Sequence, residues 1–406
     1  NTITNNTSSN NGFCGLYLDD SHYNILTGNI LENNDNYGIY LSYSYANDIY
    51  NNYFNNTHNA YDDFMNSWNT APTLGTNIVG GPYLGGNYWS DYTGEDLDGD
   101  GLGDTEVPYT SYGGISYYGG DDYPLVMPDP NAHSPIYIDG DSDFTEANGV
   151  NGGGSGTPLD PYIIENWVIN AENAFGIHIR STTAYFMVRN CSVKNGWSAG
   201  YYGIYLENVQ NGRIENTVTK NNYYGICLEY SQNNILAGNT AFSNPEDSFG
   251  IYLYESDNNT LNANNAENNS YDIYLYESDN NSLIGNNAEN NGYAIFIDYS
   301  DNSILTGNTV SNNYFGIYLN CSSNSILTNN EMSGNNYNFN VGGDEVSNHL
   351  SDYIQDIDPS NTINGKPIYY WVNQQDQQIP SDAGFVGIVN SENITVSGLT
   401  LTNNMK

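Results

Sequence analysis

Apolar side chains recur every 22 residues through the second half of the chain. Residues 251–253, 273–275 and 317–319 each read Ile-Tyr-Leu, and residues 295–297 read Ile-Phe-Ile. An apolar, an outward-facing and another apolar residue in succession predict a short β-strand with one buried face. A fixed period of this length is typical of a solenoid, in which each repeat forms one turn of a stacked coil.

A second apolar pair, such as Ile304 and Leu305, follows an Asn-rich turn and predicts a second short strand in the repeat. Strands this short cannot stand alone, so we expect each to pair in parallel with its equivalent one turn away, at about 4.8 Å. Helical spacing does not extend over any useful length. The pattern therefore predicts an all-β chain folded as a parallel β-helix, with coils of about 22 residues.

Asn and Ser also recur at fixed places in the repeat. Counted from the residue before the apolar motif, such as Gly250, a Ser follows six positions later and an Asn fourteen positions later. The Asn positions are Asn29, Asn52, Asn239, Asn264, Asn286, Asn308 and Asn330. Equivalent Asn amides in successive turns can hydrogen-bond along a stack, and Asn tolerates the left-handed backbone of tight bends. A disordered Asn-rich tract would not keep this register.

The period breaks in a segment that is rich in Gly, Pro and Asp. We expect residues 1–66 to be coils that end a first rod, and residues 67–133 to be irregular. Residues 134–406 then form a second β-helix with an insertion near 342–380. Because the chain opens and closes inside a repeat, the sequence predicts a mature or truncated part of a longer protein, with no capping sequence at its ends.

The irregular segment contains one compact chemical motif, in which Asp residues occupy alternate positions around Gly99 and Gly101. Such an oxygen-rich loop is typical of a calcium site. The predicted ligands of a structural Ca²⁺ are Asp96, Asp98, Asp100, Asp104 and Glu106. The alternative interpretation is a solvated acidic turn without an ion. A weaker group of the same kind follows at Asp139, Asp141, Asp143 and Glu146.

Tyrosines occupy the outward position between the two apolar residues of several strands. They are Tyr17, Tyr40, Tyr205, Tyr252, Tyr274 and Tyr318. In a stack of coils these side chains fall in register and predict an exposed aromatic stripe. The stripe either stiffens the sheet through cross-strand stacking or forms a contact surface for a glycan or a neighbouring subunit.

The composition narrows the choice of partners. The 406 residues include 47 acidic and only 7 basic side chains, which gives a formal net charge of −40. Such a polyanion is repelled by nucleic acid and by anionic membrane surfaces, and it attracts divalent cations. No run of 18 apolar residues occurs, so we expect no membrane insertion. The four cysteines, Cys14, Cys191, Cys227 and Cys321, could form disulfides or remain as buried thiols.

The coil pattern resembles the NosD-like family of carbohydrate-binding and sugar-hydrolase type β-helix repeats. Residues 85–92 (Gly-Gly-Asn-Tyr-Trp-Ser-Asp-Tyr), 161–167 and 366–372 are similar to segments of archaeal secreted and surface members. The resemblance implies a right-handed parallel β-helix and an extracellular or cell-surface location. NosD itself is linked to copper delivery, but the five histidines here are scattered and form no Met/His cluster, so we expect no copper site.

The small number of basic side chains limits which enzymatic functions the chain could have. A β-helix polysaccharide lyase needs a base and a positive charge near the sugar carboxylate, and related hydrolases need paired acids. The only basic cluster in sequence is Arg180, Arg189, Lys194, Arg213 and Lys220. We expect these residues to form salt bridges with Glu165, Glu207 and Glu215 rather than a catalytic site.

The sequence therefore favours a structural surface protein, a calcium-stiffened rod in a surface layer, sheath or filament. Exposed strand edges at uncapped ends would let copies associate end to end, and lateral association is also open. A glycan-binding adhesin that uses the tyrosine stripe is the second hypothesis. A polysaccharide lyase or hydrolase that uses Arg180, Arg189 or Lys194 is the third.

Overall fold

The computed structural model describes residues 1–96, 99–116, 119–242, 248–343 and 349–404. It divides into two compact units, Asn1–Pro130 and Asn131–Lys406. The described residues form strands, turns and five short 3-10 turns, with no α-helix among them. The 3-10 turns are Ser111–Gly113, Asp141–Asp143, Glu146–Asn148, Trp197–Ala199 and Leu350–Tyr353. The prediction of an all-β parallel solenoid is confirmed.

Each regular coil of the first unit contributes one strand to each of three parallel sheets. The broad sheet contains Cys14–Asp19, Tyr37–Ser42 and His58–Asp62. The second sheet contains Thr2–Thr4, Ile25–Thr27 and Asp48–Ile49, and the third contains Thr7–Ser9, Ile30–Glu32, Tyr53–Asn55 and Tyr88–Trp89. A short antiparallel pair, Thr73–Leu74 and Tyr83–Leu84, lies in the irregular segment.

The second unit repeats the same three-sheet plan over a longer stack. Its broad sheet contains Ile136–Asp139, Ile177–Thr182, Ile204–Val209, Tyr224–Glu229, Phe249–Tyr254, Tyr271–Tyr276, Tyr293–Asp298, Phe315–Asn320 and Tyr337–Gly342. The second sheet contains Tyr162–Glu165, Phe186–Arg189, Gly212–Glu215, Ile235–Ala237, Thr260–Asn262, Ser282–Ile284, Ile304–Thr306, Ile326–Thr328 and Asp356–Ile357. The third sheet contains Ala132–His133, Val168–Asn170, Ser192–Lys194, Val218–Lys220, Thr240–Phe242, Asn265–Glu267, Asn287–Glu289, Thr309–Ser311, Glu331–Ser333, Thr362–Ile363, Lys366–Val372 and Phe385–Val389.

The third strand of each coil was not expected from the sequence. In Thr309–Ser311, for example, only Val310 is buried, and the residues on either side of it point outward. A single apolar residue between polar ones gives no periodic signal, so the pattern predicts only two strands. Another difference is the antiparallel pairing of Thr362–Ile363 with Lys366–Val372, which interrupts the parallel stack within the predicted insertion.

The core forms because equivalent residues align one above another. In adjacent broad strands Ile273 pairs with Ile295, and Leu275 pairs with Ile297. All four side chains are fully buried. Complete burial of one such side chain stabilises the fold by roughly 1.5–3 kcal/mol, and the contribution recurs in every coil. The hydrophobic core is therefore a column along the axis of each stack.

Buried Asn side chains line this core at the bends and join one coil to the next. Oδ1 of Asn330 accepts hydrogen bonds from the backbone N–H of Asn308 (3.0 Å) and from its side-chain Nδ2 (2.8 Å). Nδ2 of Asn308 also donates to the carbonyl oxygen of Leu283, at 2.9 Å. The same bonds recur through the Asn positions from Asn239 to Asn361. The predicted Asn stack is confirmed.

The irregular segment of the first unit covers one end of its core. The ring of Trp89 stacks on that of Phe54, with centroids 4.6 Å apart, and the ring of Tyr109 stacks on Trp89, also at 4.6 Å. Trp68 and Ile115 are buried beside them. These large side chains fill the space that the next coil would occupy, so this end of the stack is capped.

The second unit is also capped at the end where its stack begins. The ring of Phe144 lies 4.6 Å from that of Tyr162 and 5.4 Å from that of Phe186, and Val150 is buried in the same cluster. The expectation of uncapped ends rested on the chain termini. The structure adds that the stack ends bordering the irregular segment are closed by large side chains.

One buried carboxyl holds the cap of the first unit together. Oδ2 of Asp121 accepts hydrogen bonds from the backbone N–H of Asn87 (2.7 Å) and from Nε1 of Trp89 (2.8 Å). Its Oδ1 accepts from the backbone N–H of Tyr123, at 3.0 Å. Burial nevertheless raises the pKa of Asp121 to about 7, because removal from water penalises the charged form more than these donors favour it.

We expect Asn308→Ala to lower the free energy of unfolding by about 3 kcal/mol, since it removes the acceptor of the buried backbone N–H of Asn286 and the side-chain donor to the carbonyl oxygen of Leu283. Urea denaturation of the full chain measures this loss. The exposed Asn262 is the control, and Asn262→Ala should change the free energy by less than about 0.5 kcal/mol. Equal effects of the two substitutions would show that the Asn stack contributes no stability of its own.

The first unit should become less stable as the pH rises from about 4 to 7. In this window native Asp121 keeps a proton that the unfolded chain has lost, so deprotonation favours unfolding by a few kcal/mol, to order of magnitude. Hydrogen–deuterium exchange of peptides from residues 1–130 measures the dependence. Asp121→Asn should be less stable throughout but should show a flatter pH dependence. An unchanged slope in that variant would assign the effect to other groups.

Candidate functional site

The outward side chains of the broad sheet in the second unit form two neighbouring aromatic columns. One column runs through Phe249, Tyr271, Tyr293, Phe315 and Tyr337, with successive centroids 4.4–5.3 Å apart. The other contains three of the predicted stripe residues, and its members in order are Tyr252, Tyr274, Phe296 and Tyr318. The columns exist because parallel pairing aligns equivalent residues of adjacent coils.

Most neighbouring ring planes in these columns are close to parallel, although those of Tyr252 and Tyr274 differ by 35°. The orientation of the rings decides which of their surfaces solvent contacts. The planes of Tyr271 and Tyr293 differ by 7°, and those of Tyr274 and Phe296 by 6°. Inside a column, each ring therefore has its faces covered by the rings above and below it. Sugar rings pack against aromatic faces, so the columns offer a ligand edges and hydroxyl groups instead.

The remaining stripe residues lie at less regular places. Tyr205 is buried and packs against His178, with centroids 4.5 Å apart. In the first unit, Tyr40 stacks on Tyr17 at 5.7 Å and on Tyr61 at 4.6 Å, and Tyr17 is 53% exposed. The predicted stripe is thus present as stacked columns in each unit, but most of its rings are partly buried.

Carboxylates accept hydrogen bonds from some of the column phenols. The hydroxyl of Tyr205 donates to Oε2 of Glu229 (2.6 Å), and that of Tyr274 donates to Oδ2 of Asp298 (3.2 Å). Burial raises the pKa of both phenols, and the neighbouring carboxylates raise it further. These tyrosines remain protonated at neutral pH and are engaged within the sheet.

The three arginines of the basic cluster form the predicted ion pairs. Nε of Arg189 lies 2.7 Å from Oε2 of Glu165, and Arg180 lies 3.3 Å from Oε1 of Glu207. Arg213 pairs with Glu215. Lys220 lies over the ring of Phe242, 5.6 Å from its centroid.

His178 is the one histidine within this cluster. Its Nε2 lies 3.1 Å from Oε2 of Glu207, and burial lowers its pKa even though Glu207 acts in the opposite direction. Because Glu207 also binds Arg180, the cluster is an internally compensated network of ion pairs. Its three arginines are therefore engaged within the fold.

The Asp-rich loop is described except for residues 97 and 98, so the predicted ligand Asp98 lies outside the described residues. Oδ1 of Asp96 accepts the backbone N–H of Gly99 (2.7 Å), and its Oδ2 accepts that of Gly101 (2.9 Å). Oδ1 of Asp100 accepts the N–H of Leu102, at 2.8 Å. The carboxylates thus organise the turn through its own amides.

The last two predicted ligands lie at the far end of the loop. The backbone N–H of Asp104 donates to the carbonyl oxygen of Glu95 at 2.8 Å, and the hydroxyl of Thr93 donates to Oε2 of Glu106 at 2.6 Å. Among the described residues no three His, Cys, Asp or Glu side chains converge on a point that a metal could occupy. With Asp98 outside that set, calcium binding by the loop stays a prediction.

Sequence reasoning missed the surroundings of Glu106. Tyr92, Tyr109 and Tyr112 gather beside it in the cap of the first unit. They lie in a part of the chain without a period, so no repeat pattern marks them. The sequence does not decide between disulfides and thiols, and in the structure Cys14, Cys191 and Cys227 are free thiols.

Three solved structures show how the fold compares with known proteins. The Azotobacter vinelandii mannuronan C-5 epimerase AlgE4 A-module matches 58% of this chain with 15% identity and a TM-score of 0.43, and the chain spans 64% of that module. The periplasmic alginate epimerase AlgG matches 88% of this chain and 76% of its own, with 13% identity and a TM-score of 0.37. Pectate lyase Pel9A matches 79% and 78%, with 13% identity and a TM-score of 0.41. Likeness at this level concerns the fold alone.

Two further comparisons concern sequence and membrane association. No curated protein sequence matches the chain. Within the described residues, no helix has the length and apolar character needed to cross a membrane.

The family model that matches the chain is described as periplasmic copper-binding protein (NosD), and it covers residues 1–94 and 160–367. The donor set on the described residues does not fit copper, since their histidines, cysteines and acids form no group of three that could hold an ion. The family assignment therefore rests on the repeat itself. Because the match extends over more than half of its residues, the protein belongs to the NosD family of parallel β-helix repeat proteins.

Proposed function

We propose that this NosD-family chain is a structural protein outside the cytoplasm, in which the β-helical units serve as rigid elements of a surface layer, sheath or filament. The observation that carries the proposal is that the charged and aromatic side chains bind to one another within the fold. Arg180, Arg189 and Arg213 each pair with a neighbouring carboxylate, and the aromatic columns stack on themselves. Residues that are paired or stacked in this way stabilise the coils rather than act on a substrate.

Several features support the location and favour a structural role over a catalytic one. The description of the family is periplasmic, and the net charge of −40 keeps copies apart unless cations bind between them. A lyase would need a base near an uncompensated positive charge, whereas Arg180 is shared between Asp139 and Glu207. The glycan-binding hypothesis for the tyrosine stripe loses its main support, because ring faces inside the columns are covered.

Calcium is part of the proposal as a stiffening ion in the first unit. The loop from Asp96 to Glu106 is irregular and exposes Asp104 and Glu106 to solvent. A hard cation with oxygen ligands suits a loop of alternating carboxylates. Bound there, the ion would fix a segment that packs beside the capping residue Tyr109.

Removal of Ca²⁺ should lower the melting temperature of the first unit in the full-length protein. At free Ca²⁺ 100 times above its Kd, the ion would add about 2.7 kcal/mol. Differential scanning calorimetry with and without EDTA measures this effect, and Asp104→Asn should abolish the response. The control Asp356→Asn, in the second unit, should retain it. Identical melting with and without EDTA would refute a stabilising ion.

The assembly itself is visible by negative-stain electron microscopy of the purified full-length protein. With Ca²⁺ present we expect ordered sheets or filaments, because bound cations reduce repulsion between acidic copies. Chelation should disperse them into single particles. Dispersed monomers at every Ca²⁺ concentration would overturn the structural proposal.

A further inference from the structure

The cap of the first unit contains a pocket of about 210 Å³. The irregular segment forms this pocket, and the repeating contacts between coils do not require it. Its lining includes two carboxylates and three phenols, supplied by Asp91, Glu106, Tyr92, Tyr109 and Tyr112. Pockets for drug-sized ligands measure about 300–1,000 Å³, so this volume suits a smaller group.

Each carboxylate in the pocket is held in place through one of its oxygens. Oδ1 of Asp91 accepts hydrogen bonds from the hydroxyl of Tyr109 (2.6 Å) and from Nδ2 of Asn59 (2.5 Å). Oε2 of Glu106 accepts from the hydroxyl of Thr93, at 2.6 Å. The described residues donate no hydrogen bond to Oδ2 of Asp91 or Oε1 of Glu106. Two positioned acceptors therefore remain for a ligand that carries hydroxyl groups.

The aromatic side chains of the pocket differ from those of the columns. Tyr109 is buried against Trp89 and forms part of the floor. Tyr112 is 82% exposed, and no ring of the described residues packs against it. Its faces are thus open, which is the condition for packing against the apolar C–H face of a sugar ring.

The backbone around the pocket turns through left-handed residues. Glu106, Ser111 and Tyr112 have φ angles of 54°, 47° and 53°. The same conformation occurs at other bends of the chain, for example at Tyr230 and Glu277, so it shapes the turns and does not single out the pocket.

The charge of the pocket selects the class of ligand. Its described lining carries no basic side chain, so uronates, sulfated sugars and phosphates are repelled. The described lining offers a cation only the two carboxylates of Asp91 and Glu106, whereas Ca²⁺ takes about 6–8 oxygen ligands. Carboxylate acceptors beside an open aromatic face suit the hydroxyls and the apolar face of a neutral sugar.

We propose that this pocket binds a single neutral sugar residue, such as the terminal unit of a glycan. Its hydroxyls donate to Oδ2 of Asp91 and Oε1 of Glu106, and its ring packs against Tyr112. The site is independent of the aromatic columns, and it shares Glu106 with the predicted calcium loop. It would let a structural chain attach to a neutral surface glycan through its cap.

The methyl glycosides of glucose, galactose and mannose are the probes, titrated against the full-length protein and followed by saturation-transfer NMR. We expect at least one to bind, and Tyr112→Ala and Glu106→Gln each to weaken that binding at least tenfold. The matched control is Tyr23→Ala, because Tyr23 is 72% exposed in the same unit and has a φ of 58°. It should bind as the unaltered chain does.

Several results would overturn the proposal. They are the absence of binding by all three glycosides, equal weakening by Tyr23→Ala and Tyr112→Ala, and preferential binding of methyl glucuronide or choline. Melting temperatures of the variants separate loss of the site from loss of the fold. Because binding is measured on dispersed protein, its failure is distinguishable from failure to assemble.

Discussion

The whole structure depends on parallel stacking, which places every side chain next to its own equivalent in the next coil. A buried residue in such a stack must be complementary to itself. An Asn amide meets this condition, because its Nδ2 donates to the Oδ1 of the Asn that follows, as in Asn286 and Asn308 at 3.0 Å. Leu and Ile meet it through apolar contact, and aromatic rings meet it by stacking. The limited set of residues in the repeat follows from this one constraint.

A buried residue that cannot bond to its own equivalent needs partners of another kind in the neighbouring coils. Asp272 is fully buried at a place where neighbouring coils have Gly250 and Ala294. A carboxylate only accepts hydrogen bonds, and it obtains them from the amides of Asn269 (2.7 Å) and Asn291. Burial nevertheless raises its pKa well above the usual range. The adjacent coils have Gly250 and Ala294 at this place, so Asp272 has no second buried carboxyl directly above or below it.

The same constraint explains how much of the fold could be predicted from the sequence. The positions that repeat, such as Leu305 and Asn308, contact copies of themselves, so their spacing alone reveals the coil and its stacked Asn. The caps do not repeat. Phe54 and Trp89 are far apart along the chain, and no period links them, so their stacking could be found only in three dimensions. The third strand was missed for a related reason, since one buried residue has no pattern.

The candidate site could be predicted only in part, and this also has a physical cause. The aromatic stripe follows from the alignment of equivalent residues in adjacent coils. That alignment does not tell whether the rings lie face to face. The orientation of the rings decides which of their surfaces a ligand contacts. The Asp motif predicts Glu106 as an ion ligand, and this stays a prediction; what the sequence does not reveal is that its carboxylate also lines a pocket beside Tyr112. Sequence distance describes a loop poorly when the backbone turns through left-handed residues within it.

A stack of equivalent coils has little freedom to acquire individual chemistry. A change in one coil alters the contacts of the coils on both sides, so a new polar group needs matching partners in two neighbours. A cap has a coil on one side only, and its other side is built from residues such as Asp91 and Tyr109 that belong to no column. Side chains there can change without disturbing a repeating contact. In a protein of this architecture, specific recognition should therefore develop at the caps, while the coils supply stiffness and length.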